Sequence, residues 1–293
     1  VHDDSWRFII LESRLPQAVT ALLCGCSLAV CGLMLQAVFR NPLADPSILG
    51  ISSGAGLGVA FVMLLYGGSV SVGMLSIGGF ATVLAAAFIG ATAVTLLMFS
   101  LSSIIRSDAM LLIAGVMVGY LSSSIIVLLS YYASEEGLRA YTLWGMGNFA
   151  SVSTERLPLF SIIAIVCLSA SVLLVKSLNI LSLGTLYAEN LGVNTRQLRG
   201  TVLIVTGILT ALTTSFCGPV AFIGLAVPHI ARMALHTDDY RKLLPATILT
   251  GGGVAMVCNL ACTMTPSGTM LPVNAVTPVI GAPVILYVMT KRR

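Results

Sequence analysis

The chain has 293 residues, of which 57% are hydrophobic and only 9% are charged, and its mean hydropathy is +1.00. Because a soluble domain has about a quarter charged residues, this composition excludes a water-soluble globular protein and indicates an all-α polytopic membrane protein. The net charge of +4 is accounted for by membrane topology, because basic residues concentrate on the cytoplasmic side, and nothing indicates nucleic-acid binding.

Apolar runs close to the length of about 20 residues that crosses a bilayer as a helix recur along the chain. A bundle of such spans folds as one unit, so we predict a single transmembrane domain over residues 1–293. We expect Pro16, Pro158 and Pro245 to open three spans, because a proline in the first turn loses no hydrogen bond. The nine predicted spans are roughly residues 16–38, 47–66, 74–100, 109–131, 157–176, 200–217, 220–236, 245–264 and 274–290.

The distribution of basic residues predicts the orientation of these spans. With the N-terminus outside, four basic residues lie outside the membrane: Arg7, Arg14, Arg139 and Arg156. Eleven lie inside, as the positive-inside rule predicts: Arg40, Arg106, Lys176, Arg196, Arg199, Arg232, Arg241, Lys242, Lys291, Arg292 and Arg293. An outside N-terminus with nine spans, and a start at Val1 without a signal peptide, lead us to expect that one further span precedes this sequence.

Sequence patterns for cofactor binding and metal binding are missing from the chain. No GxxxxGK[ST] phosphate-binding loop occurs, and the three histidines, His2, His229 and His236, do not have metal-ligand spacing. We therefore expect no catalytic residue, no metal site and no cofactor in this chain. The seven cysteines all lie in apolar runs, which predicts free buried thiols, although Cys24 and Cys26 form an isolated pair that is a weak metal motif.

Three segments rich in glycine and proline interrupt the apolar runs. They read RNPLADPSILGISSGAGLG at 40–58, GPVAFIGLAVPHIARM at 218–233 and LPVNAVTPVIGAP at 271–283. One interpretation is kinks and close helix packing, since small residues let backbones approach. The other is broken helices that line a watery path, where irregular backbone is tolerated at membrane depth.

The polar loop at about 179–199 reads NILSLGTLYAENLGVNTRQLR and is predicted to be cytoplasmic. It has the length of a short helix pair, with Gly192 as a natural helix stop. Leu186 and Leu191 would be exposed there beside the small Ala188, which is typical of a docking surface for a soluble partner. The alternative is an interfacial helix that lies on lipid.

Four ordered motifs, RNPLADPSILGISSGAG, LGTLYAENLGV, GPVAFIGLAVPHIAR with DDYRKLLP behind it, and LPVNAVTPVIGAP, resemble the permease subunits of ABC importers for iron–siderophore, haem and cobalamin. The resemblance implies ten spans per subunit and a homodimer with the pathway between its subunits, in the bacterial inner membrane. It also implies two cytoplasmic ATPase subunits that bind ATP and Mg, and a periplasmic substrate-binding protein. The cargo would be a bulky metal chelate, with iron–siderophore the first choice and haem or cobalamin next.

Two other functions remain as alternatives to the importer. A secondary transporter of small solutes would also show broken helices, but it should carry an intramembrane carboxylate or a dense polar patch. A membrane-embedded enzyme would need a nucleophile or a metal cluster inside the spans.

The resemblance also assigns roles to individual positions. Those that close the cytoplasmic gate are Asn41, Leu43, Ser107 and Asp108, and those that couple to the ATPases are Gly184, Leu186, Ala188, Leu191 and Gly192. Arg14 matches the first of two arginines that dock the binding protein.

The chain departs from the family pattern at several of the matched positions. Gln17 stands where the family has its second docking arginine, and Thr185 where a glutamate is common. Asn259 stands for an aspartate of the ninth span and Asn274 for a glycine. These departures leave the docking charge and the polar roles at these positions open.

Overall fold

A computed structural model describes residues 7–66, 71–72, 75–76, 79–105, 107–264 and 270–291. Arg106, Arg292 and Arg293 of the orientation prediction, and His2, lie outside these residues. A π-helical turn at Ile9–Arg14 leads into the first α-helix. The α-helices are α1 Leu15–Val38, α2 Ile51–Tyr66, α3 Gly79–Ile104, α4 Asp108–Tyr132, α5 Glu135–Gly145, α6 Leu157–Leu173, α7 Val175–Ser182, α8 Thr185–Asn190, α9 Thr195–Cys217, α10 Ile223–Leu235, α11 Tyr240–Thr263 and α12 Val273–Lys291. Two-residue strands, β1 Ser71–Val72 and β2 Leu75–Ser76, pair antiparallel between α2 and α3.

Each of the nine predicted spans overlaps at least one of these helices, but the helices differ in length. Among the described residues, five helices are long and apolar enough to cross a membrane, and the bent pair α6 and α7, which meet at 47°, makes a sixth. The apolar parts of α2, α10 and α12 are shorter. The helical membrane class is therefore confirmed, while the count of nine spans stays a prediction.

The start of α11 differs from the sequence prediction, which placed Pro245 at the beginning of a span. The helix begins at Tyr240, and the Asp239 side chain caps it by accepting a hydrogen bond of 3.0 Å from the Arg241 backbone N–H. Pro245 therefore lies inside α11. The physical reason is that the aspartate N-cap satisfies a free N–H group of the first turn, which starts the helix five residues before Pro245, although the proline removes one backbone hydrogen bond.

Helix α1 lies at the centre of the bundle, packed against α9, α10 and α11. A side chain at Gly32 would overlap the carbonyl group of Gly224 on α10, and one at Gly25 would overlap Gly251 on α11. The helices thus touch backbone to backbone, which requires residues without a side chain. Gly224 lies in one of the glycine-rich segments of the sequence analysis, and the close-packing interpretation holds there.

The bundle has two ends, which we name after a residue at each. At the Thr195 end, α1 and α3 finish and α4, α9 and α11 begin. At the Asn274 end, α9 finishes, α12 begins and the short helix α5 lies. Helix α1 runs antiparallel to α11, as Gln17 contacts Asn259 and Cys26 contacts Ile248.

The turn between α1 and α2 folds back into the bundle at the Thr195 end. Gly50 has a φ of +75°, and its Cβ position lies 2.9 Å from the Gly115 carbonyl oxygen on α4. Gly115 is seven residues into α4, so Gly50 lies about 10 Å from the start of that helix. Helix α2 therefore starts inside the bundle rather than at its surface.

All seven cysteines fall within the described residues, and all are buried and free. The prediction of free buried thiols is confirmed. No group of three or more histidine, cysteine, aspartate or glutamate side chains in the described ranges is arranged to hold a metal ion.

Candidate functional site

The turn between α1 and α2 carries the predicted gate residues Asn41 and Leu43, which are both half-buried. The Asn41 side-chain oxygen accepts a hydrogen bond of 2.9 Å from the Leu43 backbone N–H, a local asparagine turn. Between them, the Pro42 carbonyl oxygen lies 2.9 Å from Nε2 of His229 on α10. The turn is thus fixed both by its own asparagine and by a neighbouring helix.

Asp45, in the same turn, is a buried carboxylate that the sequence analysis did not single out. It accepts hydrogen bonds from the Ser47 backbone N–H, at 3.2 Å, and from the Ser47 hydroxyl. Its Oδ1 lies against Gly224, where any side chain would overlap it. Burial raises the pKa of the Asp45 carboxyl above its usual value, against the hydrogen bonds from Ser47 that lower it.

The other two predicted gate residues, Ser107 and Asp108, start helix α4. The Ser107 hydroxyl caps the helix by accepting from the Met110 backbone N–H at 3.4 Å. Asp108 forms an ion pair with Arg199 of α9, with Nη2 and Oδ1 2.6 Å apart. Both predicted gate segments lie at the Thr195 end, and Asp108 is held by a residue that the sequence analysis counted only for topology.

The predicted coupling loop folds as the end of α7, the short helix α8 and the start of α9. Gly184 precedes α8 with a φ of +126°, and Gly192 ends it with a φ of +83°. The Gly192 and Val193 N–H groups bond to the carbonyls of Glu189 and Ala188, the pattern of a Schellman cap. The prediction of a helix stop at Gly192 is correct.

Two leucines of the coupling loop, Leu186 and Leu191, point away from the protein. Leu186 is 79% exposed and Leu191 is 54% exposed, whereas Ala188 between them is buried. Large apolar side chains that are exposed to this degree on a polar loop cost free energy unless a partner covers them.

The coupling loop is attached to the rest of the Thr195 end by polar contacts. Asn179 donates from its amide to Asp239 at 2.7 Å and accepts from the Tyr240 backbone N–H at 2.8 Å. The Arg241 backbone N–H and the Asn179 amide hold the pKa of Asp239 below its usual value. A side chain at Gly184 would also meet the Arg40 guanidinium of the α1–α2 turn, at 3.5 Å.

The two residues predicted to dock a binding protein have different environments. Arg14 is exposed at the end of the π-helical turn. Gln17 is only 3% exposed, and its amide donates to the Asn259 side chain at 2.8 Å. The residue faces the interior, so an external partner cannot contact its amide. Gln17 and Asn259, two of the departures from the family pattern, thus contact each other.

Asn274, another departure, connects three segments at the Asn274 end. Its amide nitrogen donates to the carbonyls of Gly145, at 3.1 Å, and Pro219, at 2.7 Å. Its amide oxygen accepts from the Ala221 backbone N–H at 3.1 Å. The side chain therefore joins the end of α5, the loop before α10 and the start of α12, a role that a glycine cannot fill.

The sequence was compared with known proteins. It matches the FecCD transport family over residues 2–291. The vitamin B12 import system permease protein BtuC of Yersinia enterocolitica is 32% identical, over 98% of this chain and 83% of that protein. The hemin transport system permease protein HmuU of Yersinia pestis is 33% identical, over 100% of this chain and 86% of that protein.

The fold was compared with solved structures as well. One described as "an inward-facing conformation of a putative metal-chelate type ABC transporter" has a TM-score of 0.87 and 31% identity, and the match covers 97% of this chain and 88% of that one. PsaBC from Streptococcus pneumoniae, at 14% identity and a TM-score of 0.64, shares the fold. With a family match across nearly all residues and relatives above 30% identity over more than four fifths of their length, the chain belongs to the FecCD transport family.

Proposed function

We propose that the chain is the membrane-spanning permease subunit of an ATP-driven importer that moves a bulky metal chelate into the cytoplasm. As a member of a transport family, it is not an enzyme. The cargo class is supported by relatives named for vitamin B12 and hemin and by a neighbour named for metal chelates. Iron–siderophore is our first choice of cargo, with haem or cobalamin next.

In this proposal the chain is a multi-pass protein of the bacterial inner membrane with nine spans. The Thr195 end faces the cytoplasm. The basic residues support this orientation, because most of those described lie at that end: Arg40, Lys176, Arg196, Arg199, Arg232, Arg241 and Lys242. Arg14, Arg139 and Arg156 lie at the other end, in the asymmetry that the positive-inside rule expects.

The proposed partners are a second copy of the permease, two cytoplasmic ATPase subunits that bind ATP and Mg, and a periplasmic substrate-binding protein. The exposed side of α4, with Met117, Tyr120, Leu121 and Leu128, offers an apolar surface for the second copy or for lipid. Arg14 is the remaining candidate for docking the binding protein, because Gln17 is buried. The chain itself is proposed to hold no cofactor and no metal.

The observation that carries the proposal is the exposed coupling loop at the Thr195 end. Leu186 and Leu191 project from a short helix that glycines hold in place at both ends. We propose that the ATPases bind here, and that their closure moves the gate residues Asn41, Leu43, Ser107 and Asp108. Contacts that only the closed state makes stabilise that state, so their loss shifts the gate towards the open state.

Transport by reconstituted vesicles tests the function. We expect uptake of a ferric siderophore, haemin or cobalamin from the loaded binding protein only when the ATPase subunit and ATP are both present. Uptake driven by an ion gradient without ATP would favour the alternative, a secondary transporter of small solutes.

The Leu191→Asp variant tests the coupling loop. A charge placed in a docking surface must lose its water, at a cost of a few kcal/mol, so ATPase co-purification and transport should collapse while the permease still inserts. The matched control is Leu138→Asp, which changes an exposed leucine of the short helix α5 at the opposite end. Full coupling in the Leu191→Asp variant would place the ATPase contact elsewhere.

A further inference from the structure

The start of α9 is attached to the loop between α3 and α4 through one guanidinium group. Arg199 pairs with Asp108, the first residue of α4, at 2.6 Å, and its Nη1 donates to the Ile105 carbonyl at 3.1 Å, just after α3. The side chains are 17% and 30% exposed, so solvent screens this pair less than a fully exposed one. A single side chain of α9 therefore holds both sides of the loop that carries Ser107.

A second arginine, one turn earlier on α9, strengthens this attachment. Arg196 donates from Nη2 to the Ser103 carbonyl at 2.8 Å. The last carbonyls of a helix lack partners within it and carry partial negative charge, so they attract cations. The end of α3 is thus fixed to α9 as well as the start of α4.

Little slack separates these arginines from the coupling helix. Helix α8 ends at Asn190, and the Schellman cap at Gly192 leads directly to Asn194, whose side chain caps α9 by accepting from the Gln197 N–H at 2.9 Å. Because caps at both ends fix the short connection, a displacement of α8 also displaces the first turn of α9, where Arg199 lies.

We propose that the Asp108–Arg199 ion pair is the link that transmits movement of the coupling loop to the α3–α4 gate loop. Asp108 is then a positioning residue rather than a lining of the path, and Arg199 is its partner. The inference rests on the proposed function, since it assigns these two residues a part in ATP-driven opening. It predicts that the pair matters for coupling and not for binding of the ATPases.

A simpler role for Asp108 is to place a negative charge at the N-terminus of α4, which stabilises a helix by itself. The two roles differ in the response to a charge reversal. Exchanging the residues, Asp108→Arg with Arg199→Asp, puts the wrong charge at the helix start but restores the ion pair. A positioning role predicts rescue of coupling by the exchange, whereas a role at the helix terminus predicts a further loss.

The experiment uses the permease dimer with its ATPases in vesicles and measures cargo moved per ATP hydrolysed. We expect Asp108→Asn and Arg199→Gln each to lower this ratio at least tenfold while the ATPase subunits still co-purify, and the exchange variant to recover most of it. Asp238→Asn is the matched control, because Asp238 also pairs with an arginine at this end, Arg232 at 3.6 Å, but is 87% exposed. It should leave the ratio unchanged.

A second measurement does not depend on transport. A Ser107→Cys variant reports the gate loop through its rate of maleimide labelling with and without ATP, and we expect Arg199→Gln to abolish the difference. Normal ratios in both single variants, or no recovery in the exchange variant, would overturn the link. If the unchanged complex does not pump with ATP at all, the proposed function fails first, and the inference falls with it.

Discussion

The loop between α3 and α4, at the Thr195 end, is held by charged groups, whereas three segments at the Asn274 end are held by one neutral amide. Arg196 and Arg199 bind carbonyls and a carboxylate, and Asn274 makes three hydrogen bonds to backbone groups. Charged contacts respond to pH, salt and a charged partner, while neutral backbone hydrogen bonds do not. In the proposed importer, the difference suits one end that responds to ATP-driven movement and another that stays assembled while cargo enters.

Helix α1 forms a rigid centre between the two ends, and Gly32→Val should disrupt its packing with the largest expected effect. The new side chain would overlap the Gly224 backbone, which cannot move aside as a side chain can. We expect a loss of about 3 kcal/mol in the free energy of unfolding, measured by thermal unfolding in detergent. Gly253→Val is the matched control, since nothing lies within 4 Å of its Cβ position. Equal stability of the two variants would show that α1 and α10 do not touch.

The Asn274→Ala variant removes the neutral amide that joins three segments at the Asn274 end. The carbonyls of Gly145 and Pro219 and the Ala221 N–H would lose their partner in a half-buried place. We expect a loss of about 2 kcal/mol, with no dependence on salt between low and high ionic strength. Asn190→Ala, at an exposed asparagine, serves as the control and should change stability little. A strong salt dependence of the Asn274→Ala effect would contradict the contrast between the ends.

The Asp45→Asn variant tests a buried carboxylate at the Thr195 end, and its expected effect on stability is smaller. Because burial raises the pKa of Asp45 above 3.8, the folded protein binds more protons than the unfolded chain between the unfolded and the folded pKa. Stability should therefore fall as pH rises from about 3.8 to the folded pKa, and then stay level. Unfolding followed across this range should show the slope in the parent chain and lose it in Asp45→Asn. A slope that persists in the variant would assign the titration to another group.

Asp239→Asn gives the smallest expected effect and the opposite sign. The pKa of Asp239 lies below 3.8, owing to the Arg241 backbone N–H and the Asn179 amide. Its contribution to stability is thus present above pH 3.8 and disappears as pH falls through the lower, folded pKa. Acid unfolding of the parent chain compared with the variant checks this, and an identical acid limb would refute it.

The helices themselves could be predicted from the sequence because a bilayer imposes their length and composition. The predicted coupling loop gave a correct helix stop at Gly192 and correctly exposed leucines, since both depend on neighbouring residues. The helix start at Tyr240 was missed because the prediction relied on Pro245 and overlooked the aspartate cap at Asp239. Local signals thus predicted a helix end correctly at Gly192 and failed at Tyr240, where the stronger signal, the aspartate cap, was not used.

Contacts between distant residues could not be read from the sequence. Asp108 and Arg199 are 91 positions apart, and Gln17 and Asn259 are 242 apart. Nothing in either local pattern says which helices become neighbours, so Gln17 was expected at a docking surface although it lies inside. The buried position of Asp45 was missed for the same reason, since a turn of prolines and polar residues is normally solvated.

The turn that folds back between α1 and α2 limits how much of the membrane thickness α2 can span. Helix α2 has 16 residues, about 24 Å of helix, and its first residue follows Gly50, which lies about 10 Å inside the Thr195 end. A bilayer has about 30 Å of hydrocarbon, so α2 spans less than the membrane. The apolar stretch that α2 contributes is therefore shorter than the lipid layer is thick, and the polar turn before α2 makes up part of the difference.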